Sequence, residues 1–266
     1  MTSSSDQPYR RYVAVGDSFT EGLSDGHPTR PGSYVGWADR LAAHLAQLPA
    51  DHGEAFGYAN LAVRGRLLND IAGRQVDEAI ALGADLVSIV GGGNDILRPR
   101  TDVDALADRL ESAVARLRGS GAAVLMATPV DPRDAPLVRR TRSRAAVYTA
   151  HIWSIARRHQ AAVIDQWGMA ALRDWRMWAP DRIHMTSDGH RRVALQAFTA
   201  LGFDPDDSDW ATPLPAAPVL SRAQTAKETA QWAREHLAPW LGRRLAGRTS
   251  GDQVLPKQAL LAPPER

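Results

Sequence analysis

Asp85-Leu-Val-Ser-Ile-Val90, closed by Gly91-Gly92-Gly93 and followed by Asn94-Asp95, is the stretch that decides the fold. A short apolar run rich in branched residues and cut off by glycine describes a strand buried on both faces. Working outward, Arg11-Tyr-Val-Ala-Val15 ends at Gly16 in the same way. Phe56 to Ala62, Ala122 to Ala127 (stopped by Pro129) and Ala162 to Asp165 read as three more strands. Between them apolar residues recur at helical spacing. Tyr34, Trp37, Leu41, Leu45 and Leu48 form one set, Leu68, Ile71, Val76 and Ile80 a second, and Val103, Leu106, Leu110, Val114 and Leu117 a third. Further helices are expected over about 138–158 and 187–201. Strands alternating with helices of this length predict parallel βαβ units. The expected architecture is an α/β three-layer sandwich on a five-stranded parallel sheet.

The chain has 266 residues, room for one domain and an extension. Hydrophobic residues make up 44% and charged residues 23%, which places it among ordinary globular chains. No apolar run approaches the ~18 residues of a membrane span. The start, Met1-Thr-Ser-Ser-Ser-Asp6, has neither the basic nor the apolar segment of a secretory signal. Cysteine is absent, which excludes disulfides, thiolate metal sites and a cysteine nucleophile. A cytoplasmic location is the expectation. The net charge of +2 gives no reason to expect a nucleic-acid partner.

Residues 1–9 read as a flexible N-terminus and 10–202 as the folded domain. After Phe203 the texture changes, because eight of the 17 prolines fall there. Residues 203–266 read as a Pro-rich linker and a C-terminal helical extension. Ala226, Ala230, Ala233, Leu237 and Trp240 share one stripe of that helix. The stripe is shallow and its opposite face mixes Lys227 and Arg234 with Glu228 and Glu235, so packing on the core is expected rather than membrane binding. Trp240 is the expected anchor. The end, from about Arg248, is polar and reads as disordered.

In an open parallel sheet, ligands bind beyond the carboxyl ends of the strands. The segments that follow the strands are Gly16-Asp17-Ser18, Asn60 to Gly65, Gly92-Gly93-Asn94-Asp95, and, past a Trp-rich loop, Asp181-Arg182-Ile183-His184. Their residue types fit acyl transfer, which needs a nucleophile, a base, a group orienting the base, and donors for the oxyanion. Ser18 can attack, His184 can take its proton, and Asp181 lies three residues away, within reach of the other imidazole nitrogen. Asn94 offers side-chain N–H, and Gly65 and Ser18 offer backbone N–H, as an oxyanion hole. The serine is not in a G-x-S-x-G elbow, because the segment reads Gly16-Asp17-Ser18-Phe19-Thr20.

These four segments, in this order, resemble the SGNH (GDSL-like) hydrolases, a family of serine esterases and lipase-like enzymes. The resemblance covers about residues 10–202. It implies a flavodoxin-like sandwich and ester hydrolysis without a metal or cofactor. Phe19 stands where the name-giving motif has leucine.

Each piece alone has a blander reading. Gly-Asp-Ser is usually a turn or cap, Asn94-Asp95 a helix cap, Asp-x-x-His a surface pair and Gly65 a tight turn. Their shared place at one sheet edge favours the functional reading. Trp175 and Trp178, clustered with Trp167, are candidates for a substrate wall, and His27 for a loop residue reaching the pocket. His190, on the last core helix, is expected to pack or bind backbone. Arg139, Arg140, Arg142 and Arg144 read as a solvated face or as an anion site. The expected activity is carboxylic ester hydrolysis. A thioesterase or a carbohydrate deacetylase would use the same residues. A different class, an anion- or nucleic-acid-binding α/β domain, would rest on the arginines, and a flavodoxin-like cofactor binder lacks a phosphate loop after strand one.

Overall fold

A computed structural model describes residues 9–48, 55–135, 138–207, 209–217, 221–237 and 251–264. Among the described residues six strands form one sheet in the order β5-β4-β3-β1-β2-β6. They are β1 (Arg11–Val15), β2 (Gly57–Asn60), β3 (Leu86–Ile89), β4 (Ala123–Ala127), β5 (Ala162–Ile164) and β6 (Gln258–Ala262). The first five pair in parallel, with Val13 opposite Ala59 on one side and Val87 on the other.

The five parallel strands sit where the apolar runs place them, because every one is buried on both faces. In β1, Val13 and Val15 point into one core and Tyr12 and Ala14 into the other, the alternation of a pleated strand. The first core packs α6 (Val103–Gly119) and α7 (Arg142–His159) together with α3 (Leu68–Asp70), which passes through a π-turn into α4 (Val76–Ala81). The second packs α2 (Trp37–Leu45) against α8 (Ser187–Ala200). The short helices α1 (Ser18–Glu21) and α5 (Gly93–Ile96) follow β1 and β3 directly. Among the described residues no helix is long and apolar enough to cross a membrane.

The five-stranded expectation is corrected by one strand. β6 comes from the polar tail and runs antiparallel beside β2. Its burial is shallow, with Leu260 exposed, so no apolar periodicity announces it. Leu261 packs partly buried against the first core, and polar contacts add to it. Lys257 Nζ donates to the carbonyls of Glu21 at 2.7 Å and Tyr34 at 3.1 Å and to Asp39 Oδ2 at 2.6 Å.

The extension helix is α9 (Arg222–Trp232), begun by a capping box between Ser221 and Gln224. Of the expected stripe, Ala230 is exposed and Ala233 half-buried, while Trp232, off the stripe, is buried. The expected anchor, Trp240, lies outside the described residues.

Replacing Lys257 by methionine strips three acceptors of their cation. A loss of about 1–3 kcal/mol is expected, the cost of unsatisfied polar groups. Urea unfolding monitored by circular dichroism measures it, and an unmoved midpoint would show that the latch carries no load.

Candidate active site

β1 lies where the chain's direction across the sheet reverses, so the crevice of a doubly wound sheet opens beyond its carboxyl end. Asp17 caps α1 there, its Oδ1 accepting Phe19 N–H at 3.1 Å, which fixes Ser18 at the first helical position. The backbone of Gly16 is clamped by buried Gln75, which accepts from its N–H at 2.7 Å and donates to its carbonyl at 3.0 Å.

Met177 to Thr186 form a narrow loop closed by Thr186 N–H to Met177 O and Ala179 N–H to His184 O. At its tip Asp181 Oδ1 accepts from Ile183 N–H at 2.9 Å and His184 N–H at 3.0 Å, and Oδ2 meets His184 Nδ1 at 2.6 Å. Arg182 takes a left-handed φ of 57°, which lets the carboxylate fold back on its own turn. His184 Nε2 lies 3.0 Å from Ser18 Oγ. Burial would raise the Asp181 carboxyl, but the hydrogen bond and charge of His184, helped by the two backbone N–H groups, outweigh it and hold the group at about 2. With Asp181 as acceptor, Nδ1 carries the proton and Nε2 is left to accept from Ser18.

Asn94 and Gly65 complete the edge. Gly92, ahead of Asn94, has φ 95°, and an added Cβ would strike the Tyr148 ring. Gly65 has φ 76°, so both loops need glycine where they turn. Asn94 Nδ2 lies 3.0 Å from both Asp17 Oδ2 and the Arg66 carbonyl. Burial pushes Asp17 up to about 6. Arg64, the residue before Gly65, donates from its N–H and its guanidinium to the Glu21 carboxylate.

Ser18, Asn94 and His184 face a cavity of about 370 Å³. Trp175 and Trp178 line it. Trp178 Nε1 is tied to Leu172 O at 2.7 Å. His27 does not line it; its Nδ1 accepts from Thr29 N–H at 3.2 Å within its own surface loop. His190 is buried, accepts from Trp37 N–H at 3.2 Å, and stacks on Phe19. Burial foremost drives it down to about 3, so its ring is neutral. Within the arginine run, Arg139 and Arg140 are exposed and two others have partners. Arg142 pairs with Asp131 at 2.7 Å and covers Trp167, and Arg144 donates to Arg98 O at 2.6 Å.

Two residues at the site escape the sequence patterns. Arg182 lies between the rings of Trp175 and Trp232, 5.5 and 5.4 Å from their centroids. Trp232 also lines the cavity and donates from Nε1 to Asp181 O at 2.9 Å. The available signal was its standing as the only large apolar side chain in the polar run Arg222–Trp232.

A serine, a histidine and an aspartate thus lie in line beside an apolar cavity. The chain belongs to the GDSL-like lipase/acylhydrolase family, whose model matches residues 14–192. Its fold is similar to solved structures. Axe2, an acetylxylan esterase from Geobacillus stearothermophilus, is 20% identical with a TM-score of 0.57, covering 73% of this chain and 95% of that one. LAE5, an alpha/beta hydrolase enzyme from the metagenome of Lake Arreo, Spain, is 24% identical with a TM-score of 0.58, covering 73% and 95%. TesA is 21% identical with a TM-score of 0.56, covering 72% and 98%. No curated protein matches the chain.

The low position of Asp181 makes a stability prediction. Its folded value lies below the ordinary 3.8, so its stabilisation is complete above 3.8 and lost as pH falls toward 2. The contribution is about 2 kcal/mol, at 1.36 kcal/mol per unit. Thermal melts of wild type and Asp181→Asn should differ at pH 5 and converge toward pH 2. A gap that stays constant would contradict the pairing.

Proposed function

We propose that the protein is a carboxylic ester hydrolase in which Ser18, His184 and Asp181 form the catalytic triad. The observation that carries this is the hydrogen-bonded line from Asp181 Oδ2 through His184 to Ser18 Oγ, opening on the cavity. Ser18 Oγ attacks the ester carbonyl carbon while His184 Nε2 takes its proton. Asp181 keeps the imidazole in the required tautomer and stabilises the imidazolium. The oxyanion is received by the N–H groups of Ser18 and Gly65 and by the Asn94 amide. Both hydrogens of that amide are already directed at Asp17 and Arg66 O, so the oxyanion competes for one of them. The alcohol leaves with the proton from His184. Water, deprotonated by the same nitrogen, then releases the acid from the acyl-enzyme. No step calls for a metal, so chelation with EDTA should leave the rate unchanged.

Catalytic mutants of Axe2 at a serine and a histidine have been solved, which supports the same two roles here. An apolar cavity favours an acyl chain over the sugar of a carbohydrate deacetylase. A thioester would enter the same site, and a p-nitrophenyl ester and its thioester counterpart run side by side rank the two.

Ser18→Ala and His184→Ala should each lower kcat on p-nitrophenyl esters by about 10⁴-fold or more, the scale of losing a triad member. A fluorophosphonate should label Ser18 alone. Labelling of another serine, or full activity in Ser18→Ala, would overturn the assignment.

A further inference from the structure

Trp232 lies beyond the family-matched residues 14–192, yet it reaches back to the site. Its helix, α9, touches the cavity at two positions three residues apart, Thr229 and Trp232, so one face of the helix forms part of the wall. The indole is held from two directions. Its Nε1 is bound by Asp181 O at 2.9 Å, and its ring face meets the Arg182 guanidinium, whose other contact is Trp175. A side chain fixed at both its polar end and its face is a rigid wall.

We propose that Trp232 is a specificity-determining residue: α9 closes the cavity over the acyl group, and Trp232 makes the enzyme prefer esters with a medium-length apolar acyl chain over acetate esters. The proposal rests on the serine esterase reading above and names its substrate class. A cavity of about 370 Å³ falls within the range that encloses whole small molecules, and an acetyl group would leave most of it empty. The surfaces beyond Ser18 are apolar, from Ile96, Leu97, Val130 and Val138. Methylenes gain binding energy only where they leave water, and Trp232 supplies the side that shuts water out. The enclosed part suits the acyl group rather than the alcohol. In the two-step reaction the alcohol must depart and water must enter while the acyl group stays attached to Ser18.

The test uses the full-length protein and compares kcat/KM for p-nitrophenyl octanoate and acetate. Wild type should favour octanoate. Trp232→Ala should lower the octanoate-to-acetate ratio about tenfold, mostly through KM, the scale of a methylene or so in an apolar pocket. The ratio is the readout because Trp232 also touches the turn that carries Asp181. Trp232→Phe keeps a ring against Arg182 without the N–H and should recover most of the ratio. Thr229→Trp should fill the cavity and lower the ratio, which keeps the proposal testable if Trp232→Ala does not fold. A short-chain fluorophosphonate separates the two readings. Failure to label Ser18 in wild type overturns the esterase reading itself. Labelling together with a flat acyl profile, an unchanged ratio in Trp232→Ala or Thr229→Trp, or an effect that follows alcohol length at fixed acetyl overturns the role of Trp232.

Discussion

The 3.0 Å contact between Ser18 and His184 joins residues 166 positions apart, and most of the fold lies between them. It requires β1 to be inside the sheet, β5 at its far edge, and every parallel crossover to return the chain to the same carboxyl end. A one-residue slip in any parallel pair would turn the buried side chains to the wrong core and move the loops relative to one another. The register of β1 against β3 is therefore as much a part of the site as the imidazole. Both cores hold it, because each strand inserts alternate residues into both.

The loop that carries Gly65 is fixed by charge rather than by apolar packing. Glu21 is buried, ends the helix that begins with Ser18, and accepts from the N–H and guanidinium of Arg64. A buried ion pair is costly to desolvate and stabilises little unless its remaining lone pairs are met. Here the pair is extended, because Lys257 on the tail donates to the Glu21 carbonyl and to Asp39. The serine helix, the Gly65 loop and the edge strand β6 thus share one polar network. Gly251, packed against the Arg64 carbonyl where no Cβ would fit, adds a contact from the same tail.

The five strands were legible because each is a mainly apolar run without a polar alternation, with Asn60 and Ser88 buried among the apolar residues, as a doubly covered sheet requires. The order of Ser18, Gly65, Asn94 and Asp181–His184 was legible because those residue types at strand ends have few other uses in combination. β6 was not, since an edge strand with exposed Leu260 is specified by backbone pairing and one lysine rather than by a pattern. The helix of the extension was legible in existence but not in facing. Its alanines satisfy the periodicity that a sequence window detects, while its tie to the site is a single indole bonded to a carbonyl more than 50 residues away. His27 was placed near the pocket on loop position alone, and nothing in its side chain draws it there.

The turn Asp181-Arg182-Ile183-His184 shows how local strain and distant packing balance. The short spacing closes only if residue 182 adopts the left-handed conformation, which in a residue with a Cβ costs about 1–3 kcal/mol. Glycine would avoid that cost, yet the position holds arginine. Its guanidinium lies between two indoles, at 5.5 and 5.4 Å, and each such contact contributes about 0.5–2 kcal/mol. The two contacts offset the backbone strain, and one of them comes from the C-terminal extension. The conformation that brings Asp181 to His184 is thus supported from outside the sheet that presents it.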